Sequence, residues 1–270
     1  MASAMGTDRL YNTEGIIMHR RDQGEADRVL TLCTPQGKIS IIAKGARKVR
    51  SRKAGHIELF SHTHFVVSRV KNYWDIISQA ETVDAHQVLR EDLLLGTYAR
   101  YAIELVDGFF TEGEGGPAVF DLLDHTLTWL GEENDRDLVL RFYEQHLLGL
   151  AGFRPELFAC VGEREHGGET HAEDPNEARP YGLDPERGGM LCAACYEHRK
   201  REGLMSLSPQ TLAFLRACQR EPYTQLSRRR VSRPIHAEAE RVMQHYITYH
   251  LERGIRSIAF LHQIRRQFGP

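Results

Sequence analysis

The segment KISIIAKGARKVRSRK, residues 38–53, begins as a strand and ends as a loop rich in lysine and arginine. It carries seven positive charges and no acid: Lys38, Lys44, Arg47, Lys48, Arg50, Arg52 and Lys53. Because the whole chain has a formal net charge of only −2, this density of positive charge is local. A bound polyanion would relieve the self-repulsion of such a loop. The charge alone leaves two interpretations open, a nucleic-acid-binding loop and a solvated loop with no partner.

Short apolar runs on both sides of this loop predict a small β-barrel. Six runs are expected to be strands, at residues 15–18, 29–33, 38–43, 57–60, 63–68 and 74–81. The turn Pro35-Gln36-Gly37 should join the second and third as a hairpin. Among small barrels, the oligonucleotide-binding (OB) fold holds single strands. Tyr73 and Trp74 could stack on bases, although packing or turn cover is the commoner role.

After Glu91 the apolar residues recur at steps of three and four, which predicts amphipathic helices. Helices are expected over residues 91–110, 118–130, 135–150, 208–218 and 235–253, and Ser208 with Pro209 marks one helix start. Cys218 and Tyr249 are expected to pack in the core of this helical domain.

Residues 104–137 contain ten acids and one base, so negative surface should lie apart from the basic loop. His62 and His64 alternate on a strand and so point to one face, where they could bind metal, although a surface pair is the expected outcome.

A cysteine pair indicates a metal site in residues 155–203, which lose the helical period and gain glycine and proline. Cys192-x-x-Cys195 follows Gly188-Gly189, and this spacing can place two thiolates on one tetrahedral ion. The predicted zinc ligands are Cys160, His166, Cys192 and Cys195, with His171 and Glu163 as alternatives to His166. A metal-free loop and a redox pair remain alternatives.

The remaining composition favours a binding protein over an enzyme. The chain has no run of 18 apolar residues and no signal-peptide pattern at its start, and its five cysteines are expected to be reduced in the cytosol. It has no phosphate-binding loop, no dinucleotide-binding glycine motif, no nucleophile elbow and no His-Glu-x-x-His motif. We therefore expect a protein that is not catalytic.

Several stretches, in this order, resemble the RecO family of bacterial recombination mediators. They are EGII and GEADRVL at residues 14–17 and 24–30, TPQGK and AKGAR at 34–38 and 43–47, LGLAGFRP at 148–155, the glycine pair before the cysteines, and YHL with IRS at 249–251 and 255–257. The resemblance covers nearly the whole chain. The sequence departs from the family at Glu163, where a second paired-cysteine motif would need cysteine, and this leaves the fourth metal ligand open.

The patterns and the resemblance together predict an α+β multidomain protein. Residues 1–85 are expected to form an OB-fold DNA-binding domain, residues 86–154 and 204–270 an all-helical domain, and residues 155–203 an inserted zinc-finger-like module. The resemblance implies binding of single- and double-stranded DNA, annealing of complementary strands, and a cytoplasmic, nucleoid-associated location. It also implies partnership with RecR and with the tail of single-stranded-DNA-binding protein (SSB), so that RecA loads during DNA repair.

The phosphate contacts are expected to come from the basic loop. The predicted residues are Lys44, Arg47, Lys48, Arg50, Arg52 and Lys53, with Lys38, Arg20 and Arg21 as further candidates. Two other functions remain as alternatives. A metal-dependent nuclease or hydrolase would need an open metal position. An adaptor that binds RNA or protein would not anneal strands.

Overall fold

The computed structural model describes residues 10–71, 73–133, 135–162, 180–199 and 203–268, which fall into two compact units. The barrel unit runs to Glu132 and also contains the segment from Ser257 onward. The helical unit runs from Glu133 to Arg256. The division into domains at residues 85, 154 and 203 stays a prediction. None of the helices in the described ranges has the length and apolar character that crossing a membrane requires.

Five strands of the barrel unit close into a barrel in the order β1-β2-β3-β5-β4. They are β1 (Leu10–Gln23), β2 (Asp27–Thr34), β3 (Gly37–Ala43), β4 (His62–Ser68) and β5 (Asp75–Asp84). All neighbouring strands are antiparallel except β3 and β5, which are parallel. This arrangement is consistent with the predicted OB-fold. Five of the six predicted strands are confirmed.

The barrel interior is filled by alternate residues of the strands, as the two-residue period of a strand requires. Its core cluster consists of buried residues from every strand and from the loop after β3: Ile17, Leu30, Leu32, Ile41, Ala43, Ala46, Ile57, Phe65, Val67 and Ile77. The predicted hairpin is confirmed, because β2 and β3 pair down to Thr34 opposite Gly37. The basic loop therefore starts where a fully paired core strand ends.

The strand predicted at residues 57–60 is wrong. This segment is irregular, and Phe60 adopts a φ of 70°. Its apolar pattern arises because Ile57 and Phe60 are buried, Ile57 as part of the barrel core. Phe60 N donates to Ile17 O at 2.9 Å, and Ile17 N donates to Ser61 O at 3.1 Å. These two bonds satisfy the N–H of Phe60 and the carbonyl of Ser61, which lie in a partly buried loop and not in a strand.

Four α-helices and a short 3₁₀ helix (Ala54–His56) accompany the barrel in the described part of its unit. The α-helices are α1 (Gln87–Glu91), α2 (Leu93–Phe109), α3 (Pro117–Glu132) and α9 (Arg256–Phe268), which enters the barrel unit at Ser257. Asp92 caps α2 by accepting a hydrogen bond from Leu95 N at 2.8 Å. The final helix is held to α2 at two points. Ser257 N donates to the Glu104 carboxylate at 2.8 Å, and Arg265 Nε donates to Tyr98 Oη at 3.0 Å.

In the helical unit, α4 (Arg136–Leu150), α6 (Pro209–Arg220) and α8 (Arg233–Leu251) pack on one another. Its other described elements are α5 (Ala193–His198), α7 (Tyr223–Leu226) and the three-stranded sheet of β6 (Tyr181–Asp184), β7 (Gly189–Leu191) and β8 (Met205–Leu207), in the order β7-β6-β8. The N-cap predicted at Ser208 is confirmed, because its side chain accepts a bond from Thr211 N at 3.2 Å. Cys218 is a buried core thiol, as predicted. The predicted burial of Tyr249 is wrong, because this residue is 48% exposed.

A glycine at the β2–β3 turn provides a test of the barrel. Gly37 has a φ of 115°, and a Cβ there would lie 2.7 Å from the backbone oxygen of Gly113. We expect Gly37→Ala to lower the free energy of unfolding by roughly 3 kcal/mol, because a strained backbone and a collision with backbone add together. Gly24→Ala is the control, because Gly24 also has a positive φ, 57°, but open space around it. Equal losses in urea unfolding would contradict this explanation.

Candidate functional site

The basic loop, residues 44–53, is held against the turn between β1 and β2. Gly45 N donates to the Asp27 carboxylate at 2.7 Å, and Arg47 N donates to Ala26 O at 2.9 Å. Gly45 has a φ of 66°, and Ala46 is buried. These contacts fix the backbone at the start of the loop, so that its charged side chains are presented on an ordered support rather than on a free tail.

Four cations of the loop have no partner within the described part of the chain. Lys44, Lys48, Arg50 and Arg52 are exposed, and their side chains make no ion pair or hydrogen bond there. Arg47 is also exposed, but it lies 3.3 Å from Asp22 Oδ2 and donates to Gly24 O at 3.1 Å. The loop thus presents positive charge in excess of what its surroundings neutralise, and this is the electrostatic character of a polyanion-binding surface.

The other predicted phosphate contacts have partners within the barrel unit. Lys38 Nζ lies 3.0 Å from Asp107 Oδ1, and only 13% of the Lys38 side chain is exposed. Lys53 Nζ donates to Ile77 O at 3.0 Å, and burial lowers the pKa of Lys53. Lys38 therefore has little access to an external ligand. Its role in phosphate binding, like that of Lys53, stays a prediction.

The two arginines of β1 that were predicted as further candidates have different neighbours. Arg20 Nη1 lies 2.5 Å from Glu58 Oε2. The guanidinium of Arg21 lies over the ring of Trp74, 5.2 Å from its centroid. An arginine with a carboxylate partner is largely neutralised, whereas an arginine on an aromatic face keeps its charge. Of the two, Arg21 is therefore better suited to meet a phosphate.

A histidine–carboxylate network in the barrel unit was not predicted. His62 was expected at the surface, and this is wrong, because His62 is only 8% exposed, whereas His64 is exposed. His62 Nδ1 lies 3.1 Å from Asp124 Oδ1, and His62 Nε2 lies 3.1 Å from Glu14 Oε2. His86 Nε2 lies 3.8 Å from the same oxygen of Asp124. The network joins β1 and β4 of the barrel to α3.

The network changes the protonation equilibria of its members. Burial disfavours the charged ring of His62, but hydrogen bonds with Asp124 and Glu14 outweigh this, so the pKa of His62 is raised. Burial would likewise raise the pKa of Asp124, but the neighbouring rings of His62 and His86 hold it well below its usual range. The two shifts both favour the charged forms, a protonated His62 and an ionised Asp124, at this contact of barrel and helix.

This network predicts a pH-dependent contribution to stability. Because the folded-state pKa of His62 is raised, its stabilisation is fully present below the unfolded pKa of about 6.5 and is lost as pH rises through the folded pKa. We expect His62→Gln to lower the free energy of unfolding by about 2 kcal/mol at about pH 5.5 and by less at about pH 8.5. Urea unfolding at both pH values checks this, with His198→Gln as control, because His198 is an exposed histidine of the helical unit, outside the network. A loss independent of pH would contradict it.

A cluster of three thiols lies in the helical unit. The Sγ atoms of Cys160, Cys192 and Cys195 all lie within 4.8 Å of one another. Cys192 N and Gly162 N donate to Cys160 Sγ at 3.2 and 3.4 Å. Burial would raise the pKa of Cys160, but these two bonds and the hydrogen bonds from the thiols of Cys192 and Cys195 together outweigh it, and the pKa of Cys160 is lowered. The three cysteines that were predicted as ligands are thus brought together.

Local backbone contacts position these thiols. Cys192 is the N-cap residue of α5, which carries Cys195 in its first turn. Val161 N donates to Met190 O at 2.9 Å and so ties the Cys160 segment to β7. A Cβ on Gly162 would lie 2.8 Å from Cys195 Sγ, so the thiols leave no room for a side chain there. Three converging thiols suit a tetrahedral metal such as zinc, provided that a fourth ligand is supplied. The predicted choices His166, His171 and Glu163 lie outside the described residues.

By fold the chain is an α+β protein with an N-terminal five-stranded barrel and a helical domain. Its residues 7–86 match the family model described as Recombination protein O N terminal, and residues 90–259 match Recombination protein O C terminal. The chain therefore belongs to the RecO family of DNA repair proteins, which confirms the predicted resemblance.

Similar curated proteins cover almost the whole chain. The DNA repair protein RecO of Roseiflexus sp. (strain RS-1) is 39% identical over 259 residues, which are 96% of this chain and 87% of the relative. The proteins of the same name from Desulforamulus reducens and Symbiobacterium thermophilum are each 34% identical, over 257 and 263 residues. These two alignments cover 95% of this chain in both cases, and 95% and 98% of the relatives.

Proposed function

We propose that this protein binds single- and double-stranded DNA through the basic loop and anneals complementary strands without nucleotide energy. The observation that carries the proposal is the set of four exposed cations without partners on an anchored loop of the barrel: Lys44, Lys48, Arg50 and Arg52. The name DNA repair protein, which the relatives carry, supports DNA as the polyanion.

Annealing follows from electrostatics in this proposal. Two complementary strands repel each other through their phosphates, and a cationic surface that binds both lowers this repulsion. Four cations that each neutralise one phosphate give a slope of log K against log salt of about −3 to −4. No catalytic residue is needed, so the protein acts as a binding protein and not as an enzyme.

In the cell, the proposed role is that of a recombination mediator in the cytoplasm, associated with the nucleoid. The proposed partners are RecR and the acidic, apolar tail of SSB, and the outcome is loading of RecA onto SSB-coated single strands. The basic loop supports the DNA side of this role. The family resemblance in the sequence supports the protein partners.

We also propose that Cys160, Cys192 and Cys195 hold a structural zinc ion, with a fourth ligand from among His166, His171 and Glu163. Zinc held in this way would cross-link residues 155–203 and so stabilise them as a zinc-finger-like module. The convergence of three thiols and the hydrogen bonds to Cys160 support this set. A site closed by four protein ligands has no open position for a reactive water, which is why a nuclease or hydrolase is the weaker alternative.

Charge reversal tests the DNA-binding surface. We expect Lys48→Glu/Arg50→Glu/Arg52→Glu to weaken binding of both DNA forms at least tenfold at low salt and to reduce the salt slope by about 2 to 3, because three phosphate contacts are lost. Fluorescence anisotropy at several salt concentrations measures both quantities, and annealing of two labelled oligonucleotides measures the activity.

The matched control is Arg228→Glu/Arg230→Glu/Arg233→Glu, which changes the net charge equally at exposed arginines of the helical unit. This control should keep affinity and slope near those of the wild type. Unchanged affinity in the loop variant would overturn the proposed surface. Strand cleavage by the wild type in the annealing assay would favour the nuclease, and neither binding nor cleavage would favour the adaptor.

Removal of a thiol tests the metal centre. We expect the purified protein to contain about one zinc ion per chain, and Cys192→Ser to lose it, because two remaining cysteines hold zinc poorly. Elemental analysis measures the zinc content, and Cys218→Ala is the control because Cys218 lies buried outside the cluster. A wild-type protein without zinc after metal-supplemented expression would contradict the proposed centre.

A further inference from the structure

The connection between β4 and β5 forms a corner of aromatic and basic side chains on the barrel. We define the aromatic corner as Arg21, Arg69, Lys71, Tyr73 and Trp74. Tyr73 is 53% exposed, and its ring centroid lies 5.6 Å from that of Trp74. The guanidinium of Arg21 lies 5.2 Å from the Trp74 centroid, and Lys71 is exposed. Aromatic rings beside cations are the combination that single-strand-binding surfaces use.

The corner is anchored at its base. The carboxylate of Asp75 accepts hydrogen bonds from Val70 N at 3.0 Å and from Tyr11 Oη at 2.9 Å, which joins the two ends of the connection to β1. The guanidinium of Arg69 lies 5.1 Å from the centroid of the Tyr11 ring. Asp75, the acid next to Trp74 in sequence, is therefore engaged within the barrel. Its carboxylate is occupied by the hydroxyl of Tyr11 and the N–H of Val70.

The corner and the basic loop lie on adjacent strands. β5 begins directly after Trp74 and pairs in parallel with β3, with Ile41 opposite Asp75. β3 then leads into Lys44, so Trp74 and Lys44 are separated by about four residues along the strand direction, or about 13 Å. The end of the loop returns to β5, because Lys53 Nζ donates to Ile77 O. A single strand of a few nucleotides can span both surfaces, within the site size of an OB fold.

We propose that Tyr73 and Trp74 form a base-stacking site for unpaired nucleotides of single-stranded DNA, next to the phosphate-binding loop. This inference rests on the proposed function and deepens it. Stacking requires an exposed face of a base, and such faces are accessible only where bases are not stacked in a duplex. The site therefore discriminates single-stranded from double-stranded DNA. The cations of the loop alone discriminate only weakly, because both forms of DNA carry phosphates. Arg21 keeps its positive charge beside Trp74 and can meet the adjoining phosphate.

Stacking on this corner is compatible with annealing. An aromatic ring covers the face of a base and leaves its Watson–Crick edge accessible to a complementary strand. When the new duplex forms, its bases stack on one another, and the contact with Tyr73 and Trp74 is lost. The corner thus holds a strand in the form that can pair and releases it once it has paired.

The decisive experiment removes the rings from the protein and the bases from the DNA. Anisotropy measures the affinity of the wild type and of Tyr73→Ala/Trp74→Ala for oligo(dT) of about 12 nucleotides, for an abasic strand of equal length and for a duplex. We expect the variant to lose about tenfold in affinity for oligo(dT) and to bind the abasic strand and the duplex as the wild type does. Tyr249→Ala, which removes another exposed tyrosine, is the matched control and should change none of the three affinities.

A second measurement does not depend on the folding of the double variant. The chain has two tryptophans, so Trp129→Phe leaves Trp74 as the only one. We expect oligo(dT) to quench its fluorescence and the abasic strand to leave it unchanged. Retention of affinity in Trp74→Phe, which keeps an aromatic ring, would support stacking further.

The outcomes separate this inference from the proposed function. Equal loss on oligo(dT) and the abasic strand, or no loss on either, overturns the stacking site while DNA binding by the wild type stands. A wild type that binds no DNA overturns the proposed function itself, and the stacking site with it. Fluorescence quenching by the abasic strand equal to that by oligo(dT) also overturns the stacking site.

Discussion

The attachment of the basic loop to the β1–β2 turn is the contact on which the proposed DNA surface depends. Seven cations within residues 38–53 repel one another, and a flexible segment would spread them into solvent. The Asp27 carboxylate that accepts from Gly45 N and the buried side chain of Ala46 hold the loop on the barrel instead. Three of the seven cations have partners in the barrel unit, namely Lys38, Arg47 and Lys53. The repulsion that remains among the other four is the free energy that a polyanion can relieve.

Much of the barrel and of the helical unit could be predicted because the signals were local. The turn at Pro35-Gln36-Gly37 and the cap at Ser208-Pro209 each depend on a few consecutive residues, and both were found where expected. The burial of His62 was not predictable in this way, because its partner Asp124 lies far away in sequence. The prediction of a strand at residues 57–60 was wrong because a buried loop and a buried strand both contain a short run of apolar residues.

The candidate sites show the same division between local and tertiary information. The number of cations in the loop could be counted from the sequence. Which cations are neutralised could not, because Asp107 meets Lys38 only through the folded chain. For the thiols, the Cys192-x-x-Cys195 spacing predicted two neighbours, and Cys160 joins them through the bond of Val161 N to β7. Charge and spacing therefore identify candidates, and the fold decides which of them act together.

A surface that binds only phosphates is poorly suited to annealing, because it binds the duplex product more tightly than the single strands. Duplex DNA has a higher charge density than a single strand, and each phosphate contact releases about 0.9 counterions on duplex but about 0.7 on single strands. Such a surface holds its product more tightly than its substrates and is slow to release it. Base stacking acts in the opposite direction, because only unpaired bases offer their faces. The basic loop and the aromatic corner on adjacent strands of the barrel thus complement each other. In the proposed mechanism, the loop brings strands together, and the corner makes binding strongest before they pair.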